Sequence, residues 1–330
     1  MRNECDGEMG SKNPYLFIVG CPRSGTTLLR RMVNAHPMVA IPAREQHWLP
    51  KWFERRKGVT PSGYITPDLT SLLLEYEKFL GMGIGREDLE RLLDGGGLIP
   101  YAGFVSGVFD LYGKKQGKRL AGDKTPANVR FIPTLHALWP GAKFVHIIRD
   151  GRDVALSVLN WRKSANFARR FSTWEEDPIT TTALWWEWYA RAGRDNGRSL
   201  GPNLYHEIRY ESLVSEPEWE CERLCEFLSI PYDDAMIRFH EGKEKRNPDL
   251  DAKKAWLPAT PGIRDWRSEM PAGDTERFEA AAGDLLVELG YELSSPRPPA
   301  VDSDRKSEVR EVFGQEVLTG GDRLPERWSR

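Results

Sequence analysis

Residues 20–27 read Gly20-Cys21-Pro22-Arg23-Ser24-Gly25-Thr26-Thr27, a set suited to holding an anion. The frame is G-x-x-x-x-G-K-[ST], with Thr26 standing where that motif has lysine. Glycines let such a loop wrap closely, its N–H groups turn inward, and a helix beginning behind it adds positive potential. Thr26 and Thr27 add hydroxyl donors, and Arg23 adds a fixed cation. In nucleoside-triphosphate enzymes the lysine reaches the β- and γ-phosphates and the Ser/Thr holds Mg2+. Without the lysine, the loop fits a smaller anionic group and no metal. A kinase or nucleoside triphosphatase is the runner-up.

The elements that must present this loop can be read around it. Tyr15-Leu-Phe-Ile-Val-Gly20 is a short apolar run, predicted to be a fully buried strand. Leu28, Leu29, Met32 and Val33 give an amphipathic helix over 25–35, stopped by His36-Pro37. A second strand–turn–helix unit follows: strand 143–148, a turn at Arg149-Asp150-Gly151-Arg152-Asp153, and helix 154–161. Helices are expected at about 128–138, 180–195, 216–228 and 273–289, the last closed by Gly290, with a further helix after Ile230-Pro231-Tyr232-Asp233-Asp234. A strand is expected at 203–210. Between the two units, residues 48–118 interleave aromatic residues with glycines. Helices at about 68–80 and 86–94 make this region either a helical cap over an acceptor or a helical layer on the sheet. Strands separated by helices predict an α/β, P-loop-like three-layer fold, a central parallel sheet flanked by helices with that helical cap. The expected divisions are a disordered 1–13, a domain over 14–292 and a C-terminal tail over 293–330.

Composition bounds the rest. Of 330 residues, 40% are hydrophobic and 29% charged, as in a globular chain. A net charge of −2, from 47 basic and 49 acidic residues, gives no basic field for nucleic acid. Cys5, Cys21, Cys221 and Cys225 lack zinc-ligand spacing and read as ordinary thiols in a reducing compartment. Met1 to Lys12 has no apolar signal-peptide core, and no run of about 18 apolar residues occurs. A cytoplasmic location without a membrane span is the expectation. His146 reads as a satisfied core histidine, and Trp185, Trp186 and Trp188 as core packing.

Taken together, Phe17-Ile-Val-Gly-Cys-Pro-Arg-Ser-Gly-Thr-Thr-Leu-Leu29 resembles the 5′-phosphosulfate loop of sulfotransferases that use 3′-phosphoadenosine 5′-phosphosulfate (PAPS). It is most similar to the branch containing tyrosylprotein and many bacterial sulfotransferases. His146-Ile-Ile-Arg-Asp-Gly-Arg-Asp-Val-Ala-Leu-Ser157 resembles that family's 3′-phosphate segment. Softer matches are Gly122-Asp-Lys-Thr-Pro126, Ile208-Arg-Tyr-Glu-Ser-Leu213 and Gly262-Ile-Arg-Asp-Trp-Arg267. The resemblance covers about 14–292.

What it implies is specific. PAPS is the co-substrate, its desulfated form (PAP) the product, and no metal is required. Arg23, Ser24, Gly25, Thr26 and Thr27 hold the 5′-phosphosulfate. Arg149 and Ser157 hold the 3′-phosphate, where a guanidinium can fork onto phosphate oxygens and a hydroxyl can donate beside it. Tyr210 approaches the nucleotide, and Lys124 stabilises the bridging oxygen. Ala43-Arg-Glu-Gln-His47 lies where relatives carry a glutamate, one residue further from the loop. Glu45 is the expected general base, its pKa raised toward neutrality by burial, with His47 as rival. Arg152 and Asp153 are expected to pair with neighbours. The acceptor is a hydroxyl: a small-molecule alcohol or phenol is favoured, with peptidyl tyrosine or glycan as alternatives. A non-catalytic binding module with a dead pocket is a further alternative.

Overall fold

The computed structural model describes residues 11–94, 96–160, 168, 170–241, 258–260, 265–295 and 303–320. Five parallel strands form one sheet: β1 Leu16–Gly20, β2 Val39–Ala40, β3 Leu120–Lys124, β4 Lys143–Ile148 and β5 Tyr205–Arg209, in the order β2-β3-β1-β4-β5. Alternate residues feed two cores. Phe17, Val19, Phe144 and Ile148 face one, and Leu16, Ile18, Val145 and Ile147 face the other. A strand covered on both faces carries no polar alternation, which is why its sequence is a continuous apolar run.

Helices α1 Thr26–Ala35 and α2 Trp48–Glu54 follow the first loop and β2. The 48–118 region continues through α3 Leu69–Glu75, α4 Glu77–Leu80, α5 Arg86–Leu93 and α6 Tyr101–Lys115. The single helix expected at 68–80 is broken at Tyr76, whose backbone is extended. Helix α6 packs on β3, and its Tyr101, Val105 and Phe109 share a core with Phe17 and Phe144. Part of the region is therefore a layer of the domain itself. Residues 126–138 split into a 3-10 turn, Pro126–Phe131, and α7 Ile132–Leu138. Helix α8, Gly151–Leu159, begins three residues before its expected start, because the Asp150 side chain caps the N–H of Arg152. Trp161, the expected end, lies outside the described residues.

The remaining helices are α9 Pro178–Arg198, α10 Tyr210–Ser215, α11 Pro217–Leu228, α12 Trp266–Glu269, α13 Ala272–Glu288 and α14 Ser303–Gly320. After Pro231 two 3-10 turns, Asp234–Met236 and Phe239–Glu241, stand where one helix was expected. Trp185 and Trp186 are core, as expected. His146 is buried, its Nδ1 sharing a hydrogen bond with the Tyr205 hydroxyl.

Two strands escape sequence reading for a physical reason. β2 has two residues, and Leu120-Ala-Gly-Asp-Lys124 contains residues that disfavour strands. Its place between β1 and β2 overrides that preference. The described part of each chain end is anchored to the domain. Asn13, assigned to a disordered leader, is buried: its amide oxygen accepts from Ala121 N–H at 2.7 Å, and its amide nitrogen donates to Asp110 at 2.8 Å. In the presumed tail, α14 packs on α9, with Phe313 buried and its ring centroid 4.3 Å from that of Phe171.

Asp123 in β3 is wholly buried and accepts from Gln46 N–H at 3.3 Å and Asn128 Nδ2 at 3.1 Å. Burial pushes its carboxyl up to about 7, against the bond from Gln46 N–H and the charge of Lys124. A raised carboxyl favours the folded state below its unfolded pKa, about 4, and loses that contribution as pH rises through about 7. Asp123→Asn should therefore gain stability over wild type between pH 4 and 8, the gap flat above 8 in thermal melts. Phe313→Ala should release α14, read as faster proteolysis within 303–320 while the sheet core melts within a few degrees of wild type.

Candidate active site

Parallel pairing puts every carboxyl end of this sheet at one edge. Gly20 lies opposite Ile147, so the turns after β1 and β4 are neighbours. Lys124 is the last residue of β3, Arg149 follows β4, Tyr210 follows β5, and Glu45 comes five residues after β2. β1 is flanked by β3 and β4, so the chain's crossovers diverge here, the edge where open α/β sheets bind ligands.

The first turn is a backbone cradle. Arg23 and Gly25 have positive φ, 78° and 94°, which bends the backbone tightly between β1 and α1. A Cβ at Gly25 would lie 2.3 Å from a ring carbon of Tyr210, so only glycine fits beneath that ring. Helix α1 starts at Thr26 with no side-chain cap and no acidic residue in its first turn. Its first N–H groups are thus presented to the turn. The Ser24 hydroxyl, 1% exposed, has no partner among the described residues. These are the donors an anionic group would use, and the residues fit one.

The second cradle is built from side chains. Arg149 is buried, with its guanidinium 4.2 Å from the Tyr210 ring centre and one nitrogen 3.3 Å from Asp153. Its Nε has no partner among the described residues. The Arg149 carbonyl accepts from Trp186 Nε1 at 3.1 Å, which gives one core tryptophan a positioning task. Arg152 is structural: it forks onto Asp150 at 3.0 and 2.7 Å and meets Glu279 at 2.6 Å. Asp153 accepts the main-chain N–H of Trp266 at 2.9 Å. Residues 262–264, the start of the late motif, lie outside the described residues.

The two cradles are not independent. Arg23 Nε donates to the Ser157 hydroxyl at 2.9 Å. The sequence reading gave Arg23 to the first turn alone; its guanidinium also reaches the helix of the second. Tyr210 links them again, one ring touching Gly25 and Arg149 together.

A third cluster stands beside them. Lys124 Nζ is 3.0 Å from Glu45 Oε1, and His47 Nε2 is 3.0 Å from Glu45 Oε2. Glu45 and His47, expected as rivals, form one hydrogen-bonded unit. The raised Glu45 pKa is also corrected. Burial pushes the carboxyl up, but Lys124, with His47 and Lys78, outweighs it and holds the group well below the usual carboxylate range. Burial pushes His47 below the ordinary imidazole range, while its bond to Glu45 works the other way. A neutral His47 donates its Nε2 proton to the Glu45 carboxylate, which assigns the tautomer.

Four residues near this cluster were missed by sequence reading as site residues: Asp123, Gln46, Tyr76 and Lys78. Tyr76 and Lys78 come from the α3–α4 junction. Burial raises the Tyr76 phenol, reinforced by the charges of Glu45 and Asp123, and lowers the Lys78 ammonium, with Lys124 adding to that. No local pattern marks either, because the junction reaches Glu45 only in three dimensions. Among the described residues no group of three or more His, Cys, Asp or Glu side chains could hold a metal ion. No described helix is long and apolar enough to cross a membrane.

The sequence matches the family described as the sulfotransferase family over residues 14–234. It is similar to the protein-tyrosine sulfotransferase of Drosophila melanogaster, 27% identical over 312 residues, covering 90% of this chain and 56% of that protein. Protein-tyrosine sulfotransferase A of Caenorhabditis elegans is 25% identical over 294 residues, covering 87% and 69%. The chain thus spans little more than half of the first relative. Its fold is similar to the sulfotransferase domain of the Synechococcus PCC 7002 olefin synthase, with a TM-score of 0.58 and 23% identity, covering 88% of this chain and all of that one. With two turns joined at the sheet edge and a family match over about two thirds of its length, this chain belongs to the sulfotransferase family.

Proposed function

We propose that this chain transfers the sulfuryl group of PAPS to an acceptor hydroxyl. The observation that carries the reading is the pairing of Lys124 with Glu45 at the same sheet edge as the two cradles. The N–H groups of residues 24–27, with the Ser24, Thr26 and Thr27 hydroxyls, hold the 5′-phosphosulfate. Arg149 and Ser157 hold the 3′-phosphate, and Arg23 spans the two. Tyr210 backs the Arg149 guanidinium and closes the floor.

Transfer requires acceptor oxygen, sulfur and leaving oxygen in line, with charge stabilised on the leaving phosphate. Lys124 supplies that charge. Glu45 takes the acceptor proton, and His47 orients its carboxylate. The ion pair keeps Glu45 ionised and ready. As Lys124 turns toward the donor's negative charge, its hold on Glu45 weakens and the carboxylate becomes a stronger base.

The acceptor we propose is a phenolic hydroxyl. Two supports point there: the aligned relatives are named for tyrosine, and Tyr76, whose ring centre is 5.6 Å from that of Trp52, is close enough to Glu45 to feel its charge. A small phenol and a peptidyl tyrosine share this chemistry. Labelled PAPS offered with 4-nitrophenol, a tyrosine peptide and cyclohexanol separates them. Label in either phenol supports the reading, and label in cyclohexanol alone overturns the phenolic assignment.

The nucleotide half has its own tests. PAP without added metal should raise the melting temperature by several degrees at 100 times its Kd, a stabilisation of about 2.7 kcal/mol. Stabilisation by Mg-ATP and not by PAP would instead support a kinase. Arg149→Ala should weaken PAP binding roughly tenfold to a hundredfold, from the loss of charged hydrogen bonds. Glu45→Gln should lower kcat by about a hundredfold or more and leave PAP affinity unchanged.

A further inference from the structure

Glu45 and His47 occupy irregular backbone between β2 and α2, where no strand ladder fixes them. Something else must set Glu45 at 3.0 Å from Lys124. The residue between them, Gln46, is 0% exposed, as is Asp123, the residue before Lys124. Gln46 N–H donates to Asp123 Oδ1 at 3.3 Å. Two adjacent cross-links therefore join the end of β3 to this segment: Asp123 to Gln46 on the buried side, and Lys124 to Glu45 on the side that opens to the site.

We propose that Asp123 and Gln46 are positioning residues that set Glu45 against Lys124, and this rests on the sulfuryl-transfer reading above. Gln46 is satisfied at every polar atom. Its Nε2 donates to the carbonyls of Arg44 at 2.9 Å and Lys78 at 3.2 Å, and its Oε1 accepts from Trp48 Nε1 at 2.9 Å. One buried amide thus ties the Glu45 segment to α2 and to α4, the helix that carries Lys78. Asp123 is held in turn by Asn128 Nδ2 at 3.1 Å. A buried amide bonded at every polar atom, as Gln46 is, has few alternative arrangements, so it rigidifies what it holds. Losing it lets Glu45 shift, and a displacement of about 1 Å costs on the order of a hundredfold in rate.

The bond to Gln46 needs only an accepting oxygen, so its geometry survives protonation of Asp123. The charged and titratable groups facing that carboxyl are Lys124, Glu45 and Tyr76. An asparagine can present the same oxygen to Gln46. Its amide nitrogen then faces Asn128, whose Oδ1 has no partner among the described residues and can accept after the amide turns.

The test uses the full chain with Asp123→Ala, Asp123→Asn and Gln46→Met. Hydrogen exchange over 43–49, PAP binding by calorimetry, and kcat with PAPS and 4-nitrophenol are measured for each. Asp123→Ala and Gln46→Met should speed exchange over 43–49 at least tenfold and lower kcat by about tenfold to a hundredfold, with PAP Kd within twofold of wild type. Asp123→Asn should restore both. Equal exchange in wild type and a folded Asp123→Ala overturns the proposal. So does a folded Asp123→Asn as defective as Glu45→Gln. If Asp123→Ala does not fold, Gln46→Met decides, and unchanged exchange there overturns the proposal. Failure of the functional reading shows separately, as wild type that does not bind PAP. The exchange comparison needs no nucleotide or acceptor, so it tests the positioning in either case.

Discussion

The parallel pairing of β1 with β4 is the constraint on which the site depends. Register places Gly20 beside Ile147, so the backbone turn after one strand and the arginine after the other open at the same edge. Neither turn alone could hold both ends of a nucleotide bearing two phosphate groups. Side by side, they are close enough for Arg23 to reach Ser157, 134 residues away in sequence, with a direct hydrogen bond. Burial on both faces makes this register costly to slip, since a shift of one residue would exchange the Phe17 and Ile18 faces between two filled cores.

Electrostatics at that edge follow from how each cation is kept. Arg152, wholly buried, is matched by Asp150 and Glu279 and belongs to the scaffold. Arg149 and Lys124 are buried too, but each has a single carboxylate partner among the ion pairs described, Asp153 and Glu45. A buried cation with one partner retains capacity for a further anion, whereas a fully forked one does not. Their pairing therefore separates a scaffold cation from two that keep capacity for a further anion. The same logic explains Glu45: a carboxylate shared by Lys124 and His47 stays ionised in a site whose burial alone would neutralise it.

Much of this was legible from sequence where the signal was local. The apolar run 15–20, the turn at 21–25 and the helix behind it are contiguous, and Ile147, Arg149 and Ser157 lie within one short stretch of chain. Identification of Glu45 and Lys124 rested on motif resemblance, and the structure places the two in contact. What could not be read was anything decided by distant neighbours. β3 is a strand because it lies between β1 and β2, despite its Gly-Asp-Lys ending. The Glu45 carboxyl is low because Lys124, 79 residues on, lies against it. Gln46 looked like filler between two titratable residues, and only its buried hydrogen bonds reveal its task.

The central claim is that one nucleotide is gripped at both phosphate ends by two turns joined through Arg23 and Ser157. A crystal structure of the chain with PAP tests it most directly. The account predicts the 5′-phosphate on the N–H groups of residues 24–27 and the 3′-phosphate on the Arg149 guanidinium and Ser157 hydroxyl. A nucleotide bound with either phosphate away from its turn would contradict it.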